Sequence, residues 1–174
     1  MKKKFKVLLV DDCVEDQLLT QFALKDSQCF DIVSCLNNGE LAIAYFKGWH
    51  RYGNRLECPL PDLILVDLNM PGRDGFEVLK WLKAHPQPGL VKVMLTSSDS
   101  DADISRATAL GAHGYIVKPA SFKQIQMLEG RLLSCMDGGR TSASLERRNP
   151  RARSGNRSAP SRSDVVEKRP PIVN

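Results

Sequence analysis

Nothing in this sequence supports a disulfide framework, a zinc site or a membrane span. The five cysteines, at positions 13, 29, 35, 58 and 135, are odd in number and show no paired spacing. That pattern argues against both an oxidised scaffold and a thiolate-held metal. Reduced thiols in a cytoplasmic protein are the expectation. No run approaches the roughly 20 consecutive apolar residues that cross a bilayer. The amino-terminal Met1-Lys-Lys-Lys-Phe-Lys is basic, but the apolar run Val7 to Val10 is too short for a signal-peptide core and leads straight into acids. Aromatic residues are scarce, at 6% of the chain, and the segment from Arg140 onward has none on which to stack a base.

A uniform charge is also lacking. The net charge of +5 is concentrated at one end: Arg140 to Asn174 carries nine Lys or Arg against three acids. The other 139 residues carry 16 basic and 17 acidic groups, a net of −1. This divides the chain into a near-neutral globular domain over 1–138 and a basic tail over 139–174. After Gly138-Gly139 the composition turns to Ser, Arg, Ala, Asn and Pro, with almost no large apolar residue before Val165. Such a segment buries too little surface to offset its ordering entropy, and it is expected to be disordered.

What the globular part does have is an alternation of two patterns. Short runs rich in Val, Ile and Leu occur at Phe5–Val10, Phe30–Cys35, Leu63–Val66, Val91–Leu95 and Gly114–Val117. They lack polar alternation, as strands buried on both faces of a parallel sheet do. Between them lie helical periods. Leu18, Leu19, Phe22 and Ala23 mark the first helix, and Leu41, Ala42, Tyr45 and Phe46 the second. Phe76, Leu79, Trp81 and Leu82 mark a third, with Asp74 as N-cap. Ile104, Ala107 and Leu110 mark a fourth, ended by Gly111, and Phe122, Ile125, Leu128 and Leu132 a fifth. Five strands alternating with five helices predict an α/β doubly wound sheet with helices on both faces. One connection, Gly48 to Pro61, is long but contains Trp, Tyr and Leu. It reads as an ordered loop, packed on the sheet edge, or as an extension of the second helix.

In such a sheet, ligands bind beyond the carboxyl ends of the strands. Asp11-Asp12 follows the first strand and Asp67-Leu-Asn-Met-Pro-Gly-Arg-Asp-Gly75 the third. Thr96-Ser-Ser follows the fourth, and Lys118-Pro119 the fifth. Three carboxylates, a hydroxyl and a lysine therefore converge on one edge. Two carboxylates about 4 Å apart repel by roughly 4 kcal/mol at an effective dielectric of ~20, so the cluster calls for a cation. Hard oxygen ligands in a compact site favour Mg²⁺. Lys118 supplies a second positive charge, expected on the opposite side. A carboxylate beside both is a nucleophile for phosphorus. Each residue alone has a plainer reading: Asp11, Asp12 or Thr96 as a helix cap, Lys118 as a solvated turn residue, Asn69-Met-Pro-Gly as a tight turn. It is their joint placement at the correct strand ends that speaks for chemistry.

Val10-Asp-Asp12, Leu65-Val-Asp-Leu-Asn-Met-Pro-Gly-Arg-Asp-Gly75, Leu95-Thr-Ser-Ser98 and Gly114-Tyr-Ile-Val-Lys-Pro119 resemble the motifs of the CheY-like response-regulator receiver family, across roughly residues 5–136. The resemblance implies a flavodoxin-like sheet of order 2-1-3-4-5. It implies phosphorylation on Asp67 by a sensor histidine kinase. Asp12 and Asp67 would ligate Mg²⁺ by side chains, Asn69 by its backbone carbonyl, and Asp11 through water. Lys118 would pair with the phosphoryl group ahead of a cis bond at Pro119. Thr96 would bond a phosphoryl oxygen, and Tyr115 would turn inward as the aromatic switch. The output would be a protein-interaction surface formed by helix 4, strand 5 and helix 5, exposing residues such as Arg106, His113 and Lys123. It would serve a downstream protein or a homodimer. The long connection, Pro61-Asp-Leu-Ile-Leu65 and His85-Pro86 are similar to single-domain regulators that partner bacterial and cyanobacterial phytochromes.

The same pattern excludes its neighbours. Haloacid-dehalogenase-like phosphatases also work through an aspartyl phosphate, but they need a second acid two residues after the nucleophile, and Asn69 stands there. Catalysis would be limited to the protein's own aspartyl phosphorylation and dephosphorylation. The basic tail could attract phosphates, yet it has no helix-turn-helix pattern, and neither a nucleic acid nor a membrane is an expected partner. Cys13, beside the acidic pair, reads as a small buried thiol rather than a redox sensor. Trp49, His50 and Tyr52 read as packing residues rather than a ligand site.

Overall fold

A computed structural model describes residues 4–97 and 100–136, so the basic segment from 139 to 174 and Ser98 lie outside the described residues. The elements alternate as β1 (Phe5–Val10), α1 (Val14–Asp26), β2 (Phe30–Leu36), α2 (Gly39–Lys47), β3 (Leu63–Asp67), α3 (Gly75–Ala84), β4 (Val91–Thr96), α4 (Asp101–Ala109), β5 (Gly114–Val117) and α5 (Phe122–Met136). All four strand pairings are parallel, in the order β2-β1-β3-β4-β5. This is the doubly wound architecture that the sequence predicts.

The strands are apolar on successive residues because each side of the sheet has its own core. Leu8, Val10, Ile64, Val66 and Met94 point to one side, where they meet Ala42, Tyr45 and Phe46 of α2, Phe76, Leu79 and Leu82 of α3, and Ala107 of α4. Val7, Leu9, Leu63, Leu65, Val93, Leu95 and Ile116 point to the other. There they meet Leu24 of α1 and Ile125, Leu128 and Leu132 of α5. Strict period-2 alternation with both faces buried is the signature of a central parallel sheet.

The first helix departs from expectation. Its apolar period is real, but Leu18, Leu19 and Phe22 face outward, Phe22 at 68% exposure, together with Val14. The side turned to the sheet carries Thr20 and Leu24. Period identifies a stripe without giving its phase, and here the packed phase is the narrower one.

The long connection is ordered, and its partner is α2 rather than the sheet edge. Helix α2 ends at Gly48 in the left-handed conformation (φ 68°), which a residue with a Cβ adopts only under strain. A 3₁₀ turn over His50–Tyr52 follows, burying Tyr52 against Tyr45 with ring centroids 5.1 Å apart. The Tyr45 hydroxyl donates to the Pro59 carbonyl at 2.8 Å, and burial pushes its phenol up to about 12. Arg55 donates to the carbonyls of Phe46, at 2.9 Å, and Cys58, at 3.2 Å. Deleting the Tyr45 hydroxyl leaves the partly buried Pro59 carbonyl short of a donor. Tyr45→Phe is expected to lower the unfolding free energy by about 1 kcal/mol in urea titration.

Candidate functional site

The carboxyl ends of β1, β3, β4 and β5 deliver Asp11-Asp12, Asp67, Thr96 and Lys118 to one edge of the sheet. Asp11, Thr96 and Asp67 are buried, while Asp12 is exposed. Ligand atoms of Asp11, Asp12 and Asp67 all lie within 4.8 Å of one another. Lys118 does not stand across from this cluster, as the sequence suggested. Its Nζ reaches into it, 2.6 Å from Asp11 Oδ2 and 3.1 Å from Asp67 Oδ2. The Lys118–Pro119 peptide bond is cis, as expected, and the Lys118 N–H donates to the Thr96 carbonyl at 2.7 Å. Tyr115 is half-buried on β5 against the α2–α3–α4 core, on the strand beside Thr96. Asn69 lies two residues past Asp67, exposed, its N–H donating to Asp67 Oδ1 at 3.5 Å.

Local structure explains why each group stands where it does. Asp11 Oδ1 accepts from the Cys13 N–H at 2.9 Å, a local turn that leads into α1; the cap of that helix is Cys13 and no side chain caps it, so the plain capping reading of Asp11 does not hold. Asp74 caps α3 by accepting from the Glu77 N–H at 2.8 Å. Gly75, the first residue of α3, packs directly on the Asp67 carbonyl. A Cβ there would collide with that backbone oxygen and sit 2.7 Å from Met94 Cε. The absence of a side chain at 75 thus lets α3 begin against the end of β3. Gly75→Ala is expected to cost about 1–3 kcal/mol of stability, read by chemical denaturation, and to disturb Asp67 directly.

The electrostatics of the cluster are strained in a defined direction. Burial raises the pKa of Asp67, the nearby Asp11 adds to the rise, and Lys118 opposes it. Burial alone would lower the pKa of Lys118, but its contacts with Asp11 and Asp67 outweigh that and hold it above the usual lysine range. Asp11 Oδ2 touches Lys118 at ion-pair distance, yet it has no partner in hydrogen-bond geometry although fully buried. The contact is therefore charge against charge, with an oxygen lone pair left over. A buried, under-coordinated carboxylate oxygen within 4.8 Å of two further acids fits a small divalent cation.

Sequence reasoning missed two residues of α1. Asp16 places Oδ2 3.1 Å from Lys118 Nζ. Gln17 donates through Nε2 to the carbonyls of Asp11 and Leu36, tying α1 to the ends of β1 and β2. An acid in a first helical turn reads from sequence as a dipole partner, and nothing local points to a lysine 102 residues away.

Set against known proteins, the chain matches the response regulator receiver domain family over residues 7–128, and it belongs to that family. The response regulator Rcp1 of Synechocystis sp. is 34% identical over 126 residues, which is 71% of this chain and 84% of that protein. The crystal structure of the phosphorylated cyanobacterial phytochrome response regulator RcpA is similar with a TM-score of 0.62 and 32% identity, over 81% of this chain and 100% of that one. The Mn²⁺-bound form of Rcp1 gives a TM-score of 0.60 and 31% identity, over 80% and 99%. The expected kinship with phytochrome-associated regulators is borne out. No described helix is long and apolar enough to cross a membrane.

Proposed function

We propose that the chain is a two-component response regulator that accepts a phosphoryl group on Asp67 from a sensor histidine kinase, of the phytochrome type, in the cytoplasm. The observation that carries this reading is the constellation of Asp11, Asp12 and Asp67 within 4.8 Å with Lys118 Nζ bridging Asp11 and Asp67. Catalysis is confined to the protein's own aspartyl group. An Asp67 carboxylate oxygen attacks phosphorus, the phosphorus–nitrogen bond of the kinase phosphohistidine breaks, and the imidazole leaves with the bonding pair. Lys118 then has the phosphoryl oxygens to pair with, and the buried Thr96 hydroxyl, at the end of the adjacent strand, would donate to one of them. Asp11, Asp12 and Asp67, with the Asn69 carbonyl, would hold Mg²⁺, which supplies charge neutralisation for the phosphoryl oxygens when bound. The match to the Mn²⁺-bound Rcp1 structure supports a divalent ion at such a site.

The exposed apolar stripe Val14, Leu18 and Phe22 begins beside this mouth and gives the kinase a surface to dock against. Output runs through α4, β5 and α5, to a downstream protein or a second copy of the chain. Arg106, His113 and Lys123 are exposed on that side. Arg106 lies 3.9 Å over the Phe76 ring, in a groove between α3 and α4 also lined by Lys80 and Leu110. Phosphorylation adds roughly −1.5 to −2 charge at one end of this face and biases it between two arrangements through Thr96 and Tyr115.

Incubation with Mg²⁺ and acetyl phosphate is expected to add one phosphoryl group by intact mass. The adduct should be absent in Asp67→Asn and without Mg²⁺; labelling that survives in Asp67→Asn would remove the assignment. Tyr115→Trp is expected to report the switch as a fluorescence change when beryllofluoride is added with Mg²⁺. An unchanged spectrum at saturation would count against Tyr115 as the moving residue.

A further inference from the structure

We infer that Asp16 is a built-in counter-charge to Lys118, strengthening the site's hold on a divalent cation and weakening its hold on the phosphoryl group. The inference deepens the function proposed above and rests on it. An ammonium has three N–H donors; Lys118 Nζ gives one to Asp16 at 3.1 Å and meets Asp11 at 2.6 Å and Asp67 at 3.1 Å as ion pairs. Asp11 and Asp67 belong to the triad whose oxygens converge on the candidate cation position; Asp16 does not. It comes instead from the first turn of α1, and Gln17 beside it fixes that turn by donating to the Asp11 and Leu36 carbonyls. Its carboxylate is therefore delivered to Lys118 by the helix backbone, with its side chain 35% exposed.

The sign of the effect follows from Coulomb's law. Asp16 adds a fourth carboxylate to a site that contains one ammonium, which favours a cation and disfavours a phosphoryl dianion. It also occupies one of the three donors that the phosphoryl oxygens could otherwise recruit. Partial exposure screens the interaction, so the change in each affinity on removing the charge is expected to be about threefold or somewhat more. The prediction is an opposed pair of changes, which loss of packing or of folding does not produce.

Isothermal titration of the full chain with Mg²⁺ alone, and with beryllofluoride at saturating Mg²⁺, tests it in wild type, Asp16→Asn and Asp16→Glu. Asp16→Asn is expected to bind Mg²⁺ more weakly and beryllofluoride more tightly, with a longer phosphoryl half-life after acetyl phosphate labelling. Asp16→Glu keeps the charge and is expected to return both affinities toward wild type. If wild type binds both probes and Asp16→Asn matches it, or weakens both together, the role of Asp16 is overturned while the receiver chemistry stands. If wild type binds neither probe, the proposed function falls and the Asp16 inference with it.

Discussion

The ammonium of Lys118 is the group on which the acidic edge of this protein depends. Without it, buried Asp11 and Asp67 would face one another and the adjacent Asp12 uncompensated, at a cost of several kcal/mol in a partly desolvated site. Much else in the fold serves to put that one nitrogen in place. β5 ends at Val117, the following backbone N–H bonds to Thr96, and the side chain turns back across the sheet edge to β1 and β3. Lysine is suited to the task because its charge is compact and its three donors can be redistributed among partners as the site changes composition.

The sheet was legible in the sequence almost residue by residue. Both of its faces are buried, so continuous runs such as Val7-Leu-Leu-Val10 and Leu63-Ile-Leu-Val66 have no competing explanation. The site was legible for a related reason: strand order places the residue after each strand on a common edge, so Asp11, Asp67, Thr96 and Lys118 could be grouped before any geometry was known. The orientation of α1 was not legible. Leu18, Leu19 and Phe22 form a better apolar stripe than Thr20 and Leu24, yet the latter face the sheet. A helix that must present Gln17 and Asp16 to the strand ends has its rotation fixed by those polar contacts, and hydrophobicity does not choose it. The direct contact of Lys118 with the acids, in place of a position across from them, likewise depends on side-chain reach that spacing does not encode.

Backbone clearance links the two halves of the site. Gly75 lets the first turn of α3 rest on the Asp67 carbonyl, and Asp74 caps that turn. β3 and α3 thereby meet backbone to backbone at Asp67 and Gly75, one residue before Phe76, whose ring carries the Arg106 guanidinium. This chain of hard contacts leads from the acidic edge to the groove between α3 and α4.

The long connection between α2 and β3 lies at the opposite end of the sheet, where the strands begin. It is held by its own internal bonds from Tyr45 and Arg55, while Leu56 at its tip is 95% exposed. A chain opened there would keep every strand-end residue on a continuous segment, either side of the cut. The connection is therefore a natural position for new termini in a circular permutant, or for a genetically inserted reporter domain whose attachment leaves the acidic edge unobstructed.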